Sequence, residues 1–225
     1  MNSKLAVLFS GGKDSCLALS NARERASIEC LISIHSANAE SFMFHTPNIE
    51  WTKLQAKAMQ IPLLEWKTKG EKEKELKDLK EAIARAKKQF KIDGVVTGAL
   101  ASNYQASRVQ AICDELELKC VNPLWQQNQL QVLRELQQAH IRAKVVGVFA
   151  QGMENFLGRD IDARFIADVQ RVSGINPAGE GGEFESFVYD APFFRQKIQI
   201  QKTRVEERGG GAKVLVIEKA RLADK

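Results

Sequence analysis

Apolar runs alternate with amphipathic segments along the first half of the chain. Leu5-Ala6-Val7-Leu8-Phe9 is unbroken and bounded by polar residues, the pattern of a strand buried on both faces. Beyond it, Leu17, Ala18 and Leu19 sit among Ser20, Asn21, Arg23 and Glu24, which predicts a helix with one apolar face. Residues 28–34 read as a second strand, 52–59 as a helix and 61–64 as a short strand. Leu76, Leu79, Ile83, Ala86 and Phe90 then recur at helical spacing within a strongly charged stretch. Glu81 precedes Arg85 by four residues there, a pairing that supports an exposed helix. Residues 94–100 read as a buried strand entering a glycine-bearing loop, and Val109, Ile112, Cys113 and Leu116 mark another helix. This alternation predicts an α/β fold, a parallel sheet with helices on both faces. Ligands of such sheets sit at the carboxyl ends of the strands, where the loops after Phe9, Ile34 and Thr97 converge.

The pattern changes near Val121-Asn122-Pro123-Leu124-Trp125. A helix carrying Leu130, Leu133 and Leu136 follows, then a strand over residues 144–149. Ile161, Phe165, Ile166, Val169 and Val172 mark one more helix, which Gly174 is placed to end, with Asp160 as the expected cap at its start. In the tail, Ile198 and Ile200 alternate with Gln199 and Gln201, and residues 214–217 offer an antiparallel partner across Gly209-Gly210-Gly211. The expected organisation is an α/β domain over residues 1–121 and a smaller α+β domain over 122–225.

Composition narrows the class without naming a function. The chain has 225 residues, 44% hydrophobic and 27% charged, ordinary for a soluble protein. No stretch approaches the roughly 20 apolar residues of a membrane helix, and the polar start at Met1 leaves no room for a signal peptide. A cytoplasmic protein is expected. Cys16, Cys30, Cys113 and Cys120 form no Cys-x-x-Cys pair and read as reduced thiols. The histidines have no zinc spacing to them. The net charge of +5 permits an acidic or nucleic-acid partner but does not require one. A solvated helix face accounts for most of the charge. A homo-oligomer is left open.

The densest chemical signal is Ser10-Gly11-Gly12-Lys13-Asp14-Ser15. It joins a strand's carboxyl end to a helix's amino end, where unpaired N–H groups and the helix dipole attract phosphate. The glycines permit a sharp turn and close approach. Ser10 and Ser15 add hydroxyls, Lys13 a charge, and Asp14 a carboxylate placed to hold magnesium. The spacing is neither a Walker loop nor a dinucleotide fingerprint. A plain Gly-Gly turn would not call for the surrounding Ser, Lys and Asp. The hexapeptide resembles the pyrophosphate loop of the ATP pyrophosphatases, which adenylate a substrate and release pyrophosphate.

A second signal is Gly179-Glu180-Gly181-Gly182-Glu183-Phe184-Glu185. Its carboxylates could hold magnesium or an amine, and Phe184, Phe187, Tyr189, Phe193 and Phe194 nearby could supply cation–π faces. Equally, it reads as a glycine-rich turn into a strand whose aromatics are core.

Taken together, these segments resemble the diphthine–ammonia ligases (diphthamide synthetases) of the N-type ATP pyrophosphatases. The resemblance spans nearly the whole chain. It includes the first loop, Ser41-Phe42-Met43-Phe44-His45-Thr46, the 70–75 and 98–102 segments, Pro123-Leu124-Trp125, Leu157-Gly158-Arg159, and the 179–185 segment. The chain departs from the family pattern at Asn103 and Ala106, where an acid and an arginine are usual, whereas Ser102, Tyr104, Gln105 and Arg108 match.

The resemblance implies a HUP-like nucleotide domain, ATP and Mg2+ as cofactors, and amidation by free ammonium of diphthine on translation elongation factor 2. The implied products are diphthamide, AMP and pyrophosphate. Ser10, Gly11, Gly12, Lys13 and Ser15 would hold phosphates, with Asp14 on magnesium. His35 and Ser36 would border adenine; Gly98 and Ala99 would approach the ribose or α-phosphate. Lys13, Asp14, Glu183 and Glu185 are the expected catalytic residues. His45, Tyr104, Arg108, Arg159, Glu180, Gly181, Gly182 and Glu183 are the expected substrate contacts, with Arg108 equally readable as a solvated helix residue and Arg159 as a carboxylate's partner. Competing readings are an ATP pyrophosphatase that modifies tRNA or amidates a small acid, and a nucleotide-binding regulator.

Overall fold

The computed structural model describes residues 3–38, 47–71 and 74–225. The first strand, β1 (Ser3–Leu8), runs into α1 (Lys13–Ala22) and β2 (Ala26–Ser36). Then come α2 (Thr52–Met59), β3 (Leu63–Thr68) and α3 (Lys74–Phe90). A second half-turn of the sheet adds β4 (Gly94–Val96), α4 (Asn103–Glu115) and β5 (Lys119–Val121). The strands form one parallel sheet in the order β3-β2-β1-β4-β5. The chain builds outward from β1 on one side and then crosses to β4 on the other. The crevice between β1 and β4 is therefore the topological switch point, where such sheets bind ligands.

Strand alternation sorts the core into two layers. Leu5, Val7 and Phe9 pack with Cys16, Leu17 and Leu19 of α1 and Ala56 and Met59 of α2. Ala6, Cys30, Ile32 and Ile34 pack on the opposite face with Leu79, Ile83 and Ala86 of α3 and Val109, Ile112 and Cys113 of α4. Leu17, Leu31, Leu79 and Ile83 are fully buried, each contributing about 2 kcal/mol of transfer free energy.

The remaining elements are α5 (Gln129–Gln138), β6 (Arg142–Val148), α6 (Ala163–Val169), β7 (Phe184–Asp190), β8 (Lys197–Glu207) and β9 (Lys213–Ala223). The strands form a second, antiparallel sheet in the order β7-β6-β9-β8. Its inner face continues the α1/α2 core through Leu133, Val145, Phe165, Phe184, Phe187 and Val188. Polar ties reinforce the junction. Asn48 Nδ2 donates to Leu215 O at 3.0 Å, the Ile217 N–H donates to Asn48 Oδ1 at 2.8 Å, and Trp51 Nε1 donates to Ile217 O at 2.9 Å. No helix among the described residues is long and apolar enough to cross a membrane.

Several elements differ from the sequence expectation: the strand read over 94–100 ends at Val96, and the one read over 144–149 runs from Arg142 to Val148. The third strand begins at Leu63, not at residue 61, and continues to Thr68 beside β2. The edge strand β5 is only three residues long, too short for a periodic signal, and owes its existence to pairing with β4. The helix expected to reach Val172 ends at Val169, and Gly174 lies in a later turn. Asp162, not Asp160, caps it, accepting the Phe165 N–H at 2.8 Å. Asp160 instead pairs with Lys144 at 2.8 Å.

Candidate active site

The loop between β1 and α1 turns at Gly11, whose φ of +78° suits glycine. Ser10 Oγ receives the Gly12 N–H at 3.4 Å, and Ser15 Oγ donates to Gly12 O at 3.1 Å. Lys13 is only 4% exposed. Its ammonium lies 2.8 Å from Asp14 Oδ2 and 5.1 Å from the centroid of the Phe184 ring. The other carboxylate oxygen, Asp14 Oδ1, is buried with no hydrogen-bond partner. An orphaned carboxylate oxygen in a phosphate-binding loop is the kind of donor a hard cation completes.

Gly98, in the loop after β4, crosses directly over the start of α1. A Cβ there would stand 2.9 Å from both the Asp14 carbonyl carbon and the Ser15 nitrogen. Thr97 Oγ1 donates to Asn122 Oδ1 at 2.7 Å and receives the Ala99 N–H at 3.1 Å, which fixes this crossing.

The glycine-rich segment before β7 closes the other side. Glu180 Oε1 accepts the Ala101 and Ser102 N–H groups at 2.8 and 2.7 Å, linking the second sheet to the start of α4. Glu183 turns away into its own loop. Its carboxylate accepts from Asn176 N at 2.8 Å, Asn176 Nδ2 at 2.6 Å and Gly181 N at 2.8 Å. Breaking this buried set with Glu183→Gln is expected to destabilise the fold by about 1–3 kcal/mol, which a denaturant melt would register; an unchanged midpoint would refute the bracing role.

Between these walls lies a cavity of about 450 Å³, within the size range of about 300–1,000 Å³ typical of small-molecule sites. Ser10, Asp14, Ser15, Gly98, Ala99, Glu180 and Glu185 supply its polar lining, and Ile32, Ile34, Leu79 and Val109 an apolar wall. A larger, more open cleft of about 620 Å³ on the second sheet, near Arg142, Asp160 and Tyr189, has no phosphate loop. Among the described residues no cluster of three or more His, Cys, Asp or Glu stands ready to hold a metal. Cys16, directly behind the loop, is fully buried, and burial pushes its thiol pKa far up, so it stays protonated.

Residues 3–120 match the family model described as the diphthamide synthase N-terminal domain, and residues 128–222 match the model of its C-terminal domain. The chain belongs to the diphthamide synthase family. It is 30% identical over 230 residues to a Homo sapiens protein named diphthine–ammonia ligase, covering 90% of this chain and 84% of that one. The Mus musculus protein of the same name is 31% identical over 228 residues, with 89% and 84% covered. A solved structure described as a predicted subunit of tRNA methyltransferase from Methanocaldococcus jannaschii is similar at a TM-score of 0.46 and 16% identity, covering 84% of this chain and 98% of that chain.

Within this diphthamide synthase fold, the expected residues fall into two groups. Ser10, Asp14, Ser15, Gly98, Ala99, Glu180, Gly181, Gly182 and Glu185 line one cavity. Several others do not. His35 points to the opposite face of β2 from Ile32 and Ile34, 3.2 Å from Glu65 Oε1, and burial lowers its pKa. Ser36 Oγ is engaged with Asn38, accepting its N–H at 3.1 Å and donating to its carbonyl at 3.0 Å. On α4, Ser102, Gln105 and Val109 share the face toward the cavity. Tyr104 and Arg108 lie four apart on the neighbouring face, with the guanidinium 3.5 Å from the ring centroid. Arg159 is 2.7 Å from Asp168 Oδ2 and lies over Phe156 at 4.8 Å, away from the cavity. The 41–46 segment with His45, and residues 72–73, lie outside the described residues.

The aromatics settle the choice left by composition. Phe184, Phe187 and Phe194 are buried, and Phe165 packs edge-on against both Phe156 and Phe184 at 5.4 and 5.5 Å. These phenylalanines are core, whereas Tyr189 and Phe193 are half-exposed and lie outside the cavity lining. Two residues given no role by the sequence reading also touch the loop: Gln55 on α2, and Ser186 on β7 at the end of the glycine- and glutamate-rich segment.

Proposed function

We propose that this protein is an ATP-dependent carbon–nitrogen ligase that amidates diphthine on translation elongation factor 2 with ammonium, releasing AMP and pyrophosphate. One observation carries the reading: a single cavity is lined by Ser10, Asp14 and Ser15 of the glycine-rich loop and by Glu180 and Glu185, in a chain whose two halves match the two diphthamide synthase domain models.

Adenylation of the diphthine carboxylate by ATP expels pyrophosphate, and ammonia then displaces AMP from the activated acyl carbon. The chain's residues serve this chemistry by position and charge. The first turn of α1 and the Ser10 and Ser15 hydroxyls receive phosphate oxygens. Lys13 and Asp14 neutralise each other in the loop, and Lys13 would offer its charge to phosphate and Asp14 its carboxylate to magnesium when these bind. Asp14 would hold magnesium, whose positive charge would stabilise the departing pyrophosphate. The apolar wall of Ile32, Ile34, Leu79 and Val109 suits a base and excludes water.

Of the carboxylates, Glu183 is committed to three hydrogen bonds inside its loop, and Glu180 to two amides at the lip. Glu185 faces the cavity and is our choice for accepting the proton of ammonium. Cytoplasm, where the elongation factor works, is the location this reading requires.

Purified protein with ATP, magnesium and ammonium should form AMP only when diphthine-bearing elongation factor is present, with the factor's mass changing from acid to amide. AMP formed with tRNA or a small acid instead would overturn the substrate assignment.

A further inference from the structure

The phosphate loop borrows its shape from the second sheet. Gly12 stands at the N-cap of α1 and has no side chain to cap it. The acceptor comes from far along the chain: Ser186 Oγ, on β7, receives the Lys13 N–H at 3.0 Å. A Cβ on Gly12 would meet the Ser186 carbonyl oxygen at 3.2 Å, so the glycine lets the strand approach.

One residue earlier, the Gly11 carbonyl accepts the Val188 N–H at 3.0 Å and Gln55 Nε2 at 2.9 Å. The same Nε2 donates to Val188 O at 2.8 Å, and Gln55 is completely buried. A trans peptide is planar, so a carbonyl and the next N–H point in opposite directions. Turning the Gly11 carbonyl onto β7 therefore turns the Gly12 N–H away from β7, toward Ser10 Oγ on the cavity wall.

We infer that Ser186 and Gln55 are positioning residues of the nucleotide site, which orient the amides of the phosphate loop from outside it. β7 presents Glu185 to the cavity and the next residue, Ser186, to α1, because successive strand residues face opposite ways. A single strand thus serves both ends of the site. The inference rests only on the nucleotide-binding part of the proposed function, and its test reads nucleotide binding whatever acid is amidated.

The full chain is titrated calorimetrically with a non-hydrolysable ATP analogue and magnesium, with thermal melting of each unliganded variant in parallel. Ser186→Ala is expected to weaken binding by about 5- to 30-fold, the factor that loss of a helix cap commands, and Ser186→Thr, which keeps the hydroxyl, to restore most of it. Gln55→Met, which keeps the volume but not the donor, is expected to weaken binding at least as much. A merely structural role would lower melting temperature while folded protein bound the analogue normally. Wild-type affinity in Ser186→Ala, or no recovery in Ser186→Thr, overturns the inference; should Gln55→Met fail to fold, the serine pair decides alone.

Discussion

Asp14→Asn is expected to lower AMP formation by about 100-fold or more while leaving the melting temperature near that of the parent protein. The loss follows from position. Asp14 lines the cavity and its Oδ1 is buried without a hydrogen-bond partner, and on the proposed function it would hold a cation that stabilises the departing pyrophosphate. Removing one such preorganised charge contact costs about 10²- to 10³-fold in catalytic systems. The fold should tolerate the change because the amide keeps the shape and its oxygen can still accept a hydrogen bond from Lys13, which sits beside it in the same loop. Lys13→Ala is expected to act in the same direction. The check is AMP production at saturating ATP, with a melt of each variant; AMP formation by Asp14→Asn at the parent rate would remove Asp14 from the mechanism.

Gly98→Ala should nearly abolish nucleotide binding by a different route. The added methyl would sit 2.9 Å from the Asp14 carbonyl carbon and 2.9 Å from the Ser15 nitrogen. Both are backbone atoms of the first helical turn and cannot swing aside as a side chain could. Either the loop after β4 lifts or α1 shifts, and each opens the switch-point crevice. Overpacking of this kind costs about 1–3 kcal/mol in stability, and a loop displaced by even an ångström is expected to weaken ATP binding by about 100-fold. Calorimetric titration with the ATP analogue separates the two effects. Normal affinity together with a normal melt would show that the close approach does not matter.

Much of the architecture was legible because it is written locally. The first strand and loop, the 52–59 helix and the Leu76–Phe90 stripe appear where their periodicity puts them, since burial on one face or two imposes a repeat that a sequence displays directly. The loop between β1 and α1 was legible for the same reason: its glycines, hydroxyls, lysine and aspartate are consecutive. The same logic failed where residue type was read without direction. His35 matched a loop that borders the site, yet strand alternation aims it at Glu65. Tyr104 and Arg108 lie on the right helix but on the face beside the one occupied by Ser102, Gln105 and Val109. Three glutamates within one short segment looked equivalent, and the fold divides them: Glu183 braces its own loop, whereas Glu180, bonded to the amides before α4, and Glu185 line the cavity.

By itself, the sequence determined a parallel α/β unit, an antiparallel tail, and a glycine-rich loop at the end of the first strand, because each is specified by neighbours within a few residues. Only the tertiary structure decided that Glu180 and Glu185 line the cavity while Glu183 turns into its own loop, that Phe184, Phe187 and Phe194 are core, and that Gln55 and Ser186 reach the loop across 44 and 173 residues of chain. Those contacts depend on how two sheets share one core, and a hydrogen bond between residues so far apart leaves no periodic trace in the chain that makes it.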